Sequence, residues 1–177
     1  ATMKLVIGVT GASGIVLADR LLSTLGNHET FLVISEGAKK VGSFEGYASM
    51  KPLQDAATHV YDDADFAAPI ASSSFPVDAM AIVPASMKTL SAVAHGYADT
   101  LITRAAENTL KFGKPIVVCP RETPLSLSAL ENMAALKRAG ALIYPPVLAF
   151  YPQPKEVDDI VDFAAGKILD CLGVDHD

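Results

Sequence analysis

Lys4-Leu-Val-Ile-Gly-Val-Thr-Gly-Ala-Ser-Gly14 runs an apolar strand directly into a glycine turn, and a helical pattern carried by Ile15, Leu17, Leu21 and Leu22 begins at once. Strand, tight turn and helix in this order read as the first βα turn of an open α/β sheet. Backbone N–H groups left free in such a turn, with the positive end of the helix dipole behind them, favour an anion. The turn therefore predicts a phosphate-bearing ligand.

The same alternation continues to the end of the chain. Short apolar runs at Lys4–Val9, Thr30–Ile34, Ala79–Val83, Pro115–Val118 and Ala141–Ile143 read as strands of a buried parallel sheet. Helical patterns lie between and after them at Gly14–Leu25, Glu36–Phe44, Leu90–Ala94, Leu101–Lys111, Leu127–Ala139 and Val157–Leu172. Ser126 or Ser128 is placed to cap the fifth helix, and Gly140 to end it. The sum is a three-layer, doubly wound parallel α/β sheet, Rossmann-like or flavodoxin-like, in a single domain over residues 3–173. Ala1-Thr2 reads as an addition ahead of Met3, and residues 174–177 as a tail.

Of the 177 residues 50% are hydrophobic and 19% charged. That balance predicts a sheet covered on both faces, or surface buried between subunits. No stretch is long and apolar enough for a membrane span, and no signal peptide is expected. A formal net charge of -6 argues against general nucleic-acid binding. Two cysteines, Cys119 and Cys171, make neither a disulfide framework nor a metal site, which points to a reducing cytoplasm.

Ligands of open α/β sheets sit at the carboxyl ends of the strands. Those ends carry Gly11–Gly14, Ser35, Pro84–Thr89, Cys119–Pro124 and Pro145–Tyr151, and most hold hydroxyl or charged groups. Gly8, Gly11 and Gly14 are spaced G-x-x-G-x-x-G, which is not the dinucleotide fingerprint. Strand two ends at Ser35, where nicotinamide enzymes place an acidic residue. A phosphate-loop sequence with Gly-Lys-Ser or Gly-Lys-Thr is also missing. A mononucleotide such as FMN is the better expectation.

Thr10-Gly-Ala-Ser-Gly14, Ile34-Ser35, Phe44-Glu45, Pro84-Ala-Ser-Met-Lys-Thr-Leu-Ser91, Arg104-Ala-Ala, Leu110-Lys111, Pro120-Arg-Glu-Thr-Pro124, Leu130-Glu-Asn-Met133, and Pro145-Pro with Ala149-Phe-Tyr151 follow one another in register. Together they resemble the UbiX-type, or Pad-type, flavin prenyltransferases over nearly the whole chain. The resemblance implies transfer of a dimethylallyl group from dimethylallyl monophosphate to N5 and C6 of reduced FMN. The prenylated flavin would then serve a separate UbiD-type decarboxylase. It also implies a homododecamer with the flavin site between subunits, and no metal.

By the same resemblance Gly11, Ala12 and Ser13 form the flavin-binding turn, with Ser13 and Glu45 relaying a proton near N5. Ser35 makes a further flavin contact, and Ser86, Met87, Lys88 and Thr89 wrap the cofactor. Arg104 and Lys111, seven apart on one helix face, bind the substrate phosphate and favour its departure. Arg121 clamps phosphate oxygens, and Glu122 acts as acid and then base. Tyr151 and Lys167 hold the prenyl donor. Each also has a plainer reading from its position alone. Ser35 and Thr89 suit helix caps, Arg121 and Glu122 a simple ion pair, and Glu45 and Lys167 solvated faces.

Two departures stand out. Many relatives have Cys where this chain has Ala85, and often a closing tryptophan in a longer tail, whereas no Trp occurs here. Ala85 resembles the Pro-Ala-Ser loop of flavin-dependent cysteine decarboxylases, the alternative enzyme class. Those enzymes use a histidine before the third strand, and Ile70–Phe75 has none. A non-catalytic FMN carrier is the alternative outside enzymes.

Overall fold

Six parallel strands form one sheet in the computed structural model, which describes every residue from Ala1 to Asp177. The strands are β1 (Lys4–Val9), β2 (Glu29–Ile34), β3 (His59–Asp62), β4 (Ala79–Ala85), β5 (Ile116–Pro120) and β6 (Leu142–Ile143). Their order across the sheet is β3-β2-β1-β4-β5-β6. That is the Rossmann order, and it resolves the choice the sequence left open, because a flavodoxin-like sheet runs 2-1-3-4-5.

Seven helices cover the faces: α1 (Ile15–Thr24), α2 (Glu36–Phe44), α3 (Lys51–Ala56), α4 (Met87–Ala94), α5 (Leu101–Lys111), α6 (Leu127–Arg138) and α7 (Val157–Leu172). Alternate residues of a strand point to opposite faces. Leu5, Ile7 and Val9 of β1 accordingly pack with α1, α3 and α7, while Val6 packs with α4, α5 and α6 through Met80 and Ile82. All seven residues of β4 are buried, as a central strand covered on both sides requires. Truncating Ile82 to alanine there would cost about 2–5 kcal/mol.

The sequence reading names five strands, and β3 is the sixth. His59-Val-Tyr-Asp alternates half-buried with exposed residues and pairs only with β2, so it carries no apolar run. Helix α3 also escaped that reading: it is one and a half turns long, with Pro52 in its first turn and only Leu53 buried. Helix α4 starts at Met87, three residues earlier than its apolar pattern, because Ser86 caps it. Ser126, not Ser128, caps α6: its Oγ accepts from the Ala129 amide at 3.1 Å. Gly140, at φ +108°, then turns the chain toward β6. The chain's last residues lie back on α7. Val174 is buried there, and His176 Nε2 meets Asp170 Oδ1 at 2.8 Å.

Candidate active site

The central strands β1 and β4 pair from Leu5↔Ala79 to Gly8↔Ile82 and then part. This is where the strand order reverses, the place where open α/β sheets hold ligands. A cleft of about 480 Å³ opens there, walled by Gly11, Ser35, Ser86, Lys88 and Thr89. The missed strand β3 adds Asp62 and Asp63 at its end, and the start of α5 adds Thr100 and Thr103. The volume lies in the usual range for small-molecule sites.

Two helices aim their N-termini into this cleft. Ser35 Oγ accepts from the Ala38 amide at 3.0 Å and caps α2. Ser86 Oγ accepts from the Thr89 amide at 3.2 Å and caps α4, so Thr89 is not itself the cap. One amide of each first turn is thus satisfied by its own serine. The amides of Glu36, Gly37, Met87 and Lys88 take no partner from this chain. Four open donors at two helix starts suit an anionic group. Gly11 makes this wall thin. A Cβ there would lie 3.1 Å from the backbone of Gly37, so the first turn and α2 touch main chain to main chain.

The third helix start is different. The amides of Leu101 and Ile102 donate to Asp63 O at 2.8 Å and Asp63 Oδ1 at 2.9 Å. Burial, foremost, pushes the Asp63 carboxyl upward from its ordinary pKa, with Asp62 and Asp99 adding repulsion, while the Ile102 amide opposes the shift.

The opening turn itself departs from expectation. The amides of Gly14 and Ile15 are not free: both donate to Glu45, at 3.0 and 3.2 Å, and Ser13 Oγ donates to the same carboxylate at 2.9 Å. Glu45 follows α2, and its carboxylate fills the anion position at the start of α1. A ligand phosphate therefore has no place there, and the open donors lie on α2 and α4 instead. Glu45 is correspondingly no free-standing solvated glutamate. Its neighbour Tyr47 donates its hydroxyl to Asp19 of α1 at 2.8 Å, tying the same loop down a second time. Burial and then the bond to Asp19 push the Tyr47 phenol well upward.

The remaining predicted residues do not enter the cleft. Arg104 stands at its rim, with its guanidinium 5.8 Å from the centre of the Phe66 ring. Lys111, two turns along α5, lies 5.9 Å over the ring of the exposed Phe112. Arg121 and Glu122 are exposed beyond β5, and Glu122 accepts from the amide of Thr123 at 3.1 Å. Tyr151 meets Phe163 edge-on at 5.5 Å, and Lys167 lies 5.7 Å over that same ring. Tyr151 and Lys167 thus share one aromatic platform, away from the cleft that holds Ser35 and Ser86. No group of His, Cys, Asp or Glu is arranged to hold a metal ion.

The sequence reading missed Asp62, Asp63, Phe66, Asp99, Thr100 and Thr103 as cleft residues. The first three lie at the end of the overlooked strand β3 or just after it. The signal that could have found the others is Thr100-Leu-Ile-Thr103, a threonine cap immediately before an apolar helical pattern.

The model of the flavoprotein family matches residues 1–169. Flavin prenyltransferase UbiX of Thermoplasma acidophilum is 48% identical over 99% of this chain and 97% of its own length. The chain belongs to the UbiX flavin prenyltransferase family. Among solved structures, AnUbiX (PadA1) in complex with FMN and dimethylallyl pyrophosphate is 40% identical and superimposes with a TM-score of 0.96, covering 99% of this chain and 94% of that one. A dodecameric FMN-dependent UbiX-like decarboxylase from Escherichia coli O157:H7 is 45% identical with a TM-score of 0.95, covering 98% and 97%. UbiX relatives thus share this chain from end to end, and the cleft lies within the shared fold.

Proposed function

We propose that this protein is a flavin prenyltransferase that joins a dimethylallyl group from dimethylallyl monophosphate to N5 and C6 of FMN. The product serves a UbiD-type decarboxylase. The observation that carries the reading is the crevice between β1 and β4, walled by open amides and serine hydroxyls beside the Ser13–Glu45 pair. These donors fit the phosphate and polar edge of a mononucleotide, and the glycine contact of Gly11 with Gly37 suits a flat ring system.

Reduced FMN, when bound, supplies the two nucleophilic ring positions. Around it the chain's own residues do the rest. Gly11, Ala12, Ser35, Ser86, Met87, Lys88, Thr89 and Arg121 bind and orient the flavin. Ser13 takes or returns a proton at N5, and Glu45 holds the Ser13 hydroxyl in place at 2.9 Å. Arg104, Lys111 and Arg121 oppose the charge that grows on the departing phosphate, which lowers the barrier to allylic C–O cleavage. Glu122 would give a proton to that phosphate and later take the one that C6 loses, while the proton lost from N5 balances the one the prenyl double bond gains as it opens to bond C6. Tyr151 and Lys167 hold the donor, Tyr151 on the prenyl group and phosphate together.

Tyr151, Lys167, Arg121 and Glu122 do not line the cleft within one chain. The exposed Leu127, Val147, Leu148 and Phe150 lie near them in sequence. We infer a homododecamer in which the site is completed between subunits, as the dodecameric relative supports. The folded unit is taken as residues 3–173. No helix is long and apolar enough to cross a membrane, and both cysteines are free thiols, which supports a cytoplasmic setting.

The test is anaerobic. The protein is mixed with reduced FMN and either dimethylallyl monophosphate or the diphosphate, and the extracted flavin is weighed. A flavin heavier by one prenyl unit with either donor establishes the transferase, and the better donor identifies the substrate. FMN recovered unmodified with both donors overturns it.

A further inference from the structure

The β1–β4 ladder ends at Gly8↔Ile82, yet the two strands stay joined for one more step. Thr10 makes that join. Its amide donates to Pro84 O at 3.2 Å, and its hydroxyl donates to the same carbonyl at 2.8 Å. The hydroxyl oxygen in turn accepts from the Ser86 amide at 2.8 Å. Thr10 is 2% exposed, so its own amide and hydroxyl have no water as an alternative partner. The side chain replaces the missing rung of the sheet at the point where the strands must part to open the cleft.

Thr10 thereby fixes three things at once. It holds the first turn, which carries Gly11 and Ser13, against the β4–α4 loop. It orients Ser86, whose Oγ caps α4 and lies 3.0 Å from Thr89 Oγ1. Through that cap it aims the open amides of Met87 and Lys88. We propose that Thr10 is a positioning residue which sets the separation of the two cleft walls, and so presents the Ser86–Thr89 loop to the flavin ready-formed. The proposal rests on the reading of that loop as the flavin's seat.

A preformed loop binds more tightly than one that must be ordered on binding. Thr10→Val keeps the volume and removes the hydroxyl, leaving the Pro84 carbonyl with one donor and the Ser86 amide with none. Thr10→Ser keeps the hydroxyl and loses only a methyl. FMN dissociation constants are measured by flavin fluorescence for wild type and both variants at a temperature where each apo-protein is fully folded. The melting temperature of each apo-protein and the visible circular dichroism of the bound flavin are recorded alongside.

Thr10→Val is expected to weaken FMN by about 30-fold and to change the flavin dichroism, while Thr10→Ser stays within about threefold of wild type. The proposal is overturned if Thr10→Val binds FMN as tightly as wild type, whatever its melting temperature does. Equal weakening in both variants also overturns it, because the hydroxyl is then not what matters. If Thr10→Val does not fold, the decision passes to Thr10→Ser and Thr10→Ala, which must differ in FMN affinity by at least tenfold in favour of serine. A wild type that binds no FMN sinks the functional reading itself, a result separate from all of these.

Discussion

The carboxyl edge of the sheet has two unlike halves. Around β1, β2 and β4 the hydroxyls of Thr10, Ser13, Ser35 and Ser86 are already seated. Thr10 bridges the strands, Ser35 and Ser86 cap their helices, and Glu45 holds Ser13. Around β5, β6 and α7 the groups of equal chemical interest stand in the open: Arg121, Glu122 and Tyr151 are exposed and touch none of the first set. The difference teaches that one chain seats the hydroxyls that wall the cleft but leaves Arg121, Glu122 and Tyr151 outside it. The first half is preorganised by two serine caps and by the long-range bonds of Thr10 and Glu45, whereas the second has no such ties.

The largest effect should come from changing one residue in each half. Glu122→Gln removes a proton donor from the open half, so prenyl transfer should fall by about 100-fold or more while FMN stays bound. Ser86→Ala in the seated half should do the opposite first, weakening FMN by about tenfold through loss of the cap. Flavin affinity and single-turnover transfer, measured on both variants, decide the matter. Should Glu122→Gln lose FMN as readily as Ser86→Ala does, the two halves are not functionally separate.

Next in size is Glu45→Ala. It frees the amides of Gly14 and Ile15 and leaves the Ser13 hydroxyl without its acceptor. Loss of a carboxylate that satisfies a helix start and a hydroxyl should cost about 1–2 kcal/mol of stability and slow transfer by about tenfold. Urea unfolding and transfer rates check both. A variant as stable as wild type would mean that solvent satisfies the start of α1 equally well.

Lys111→Ala probes the rim. The side chain lies over Phe112 on the exposed face of α5, so folding should not change. Use of the phosphate donor should weaken, with KM rising by about tenfold and FMN affinity intact. Unchanged kinetics would remove Lys111 from the mechanism.

How far the sequence carried this picture depends on distance along the chain. The first βα turn, the buried runs of β4 and β5 and the serine after β2 are local patterns, and they fold as read. Strand β3 hid because an edge strand with one half-buried face shows alternation over only four residues. With β3 missing, five strands could not separate a Rossmann order from a flavodoxin order. The occupancy of the first turn was illegible for another reason. Glu45 lies about thirty residues from the amides it satisfies, and no local pattern reports that a carboxylate from the next helix fills an anion site. The same holds for Thr10, whose partners Pro84 and Ser86 lie more than seventy residues away. The family resemblance supplied names for residues such as Glu122 and Tyr151, but the single chain brings them to no common point.

The smallest effect tests the open half at the chain's end. His176 lies over Gly166 of α7, one residue from Lys167, with its Nε2 2.8 Å from Asp170. The hydrogen bond to Asp170 raises the imidazole pKa above its ordinary value of 6.5, and the bond to the Asp177 carbonyl adds to the rise. A group whose pKa is higher folded than unfolded stabilises the fold fully below its unfolded value. That contribution fades as pH climbs through the raised folded value. Wild type should therefore melt slightly above His176→Gln at pH 5, and the two should converge above neutral pH. The gap will be small, because the pair is exposed and screened by salt. A gap that stays constant across the pH range would mean that the ring holds the tail by packing on Gly166 rather than by charge. The tail would then belong with the seated groups, and the boundary between the two halves would move onto α7.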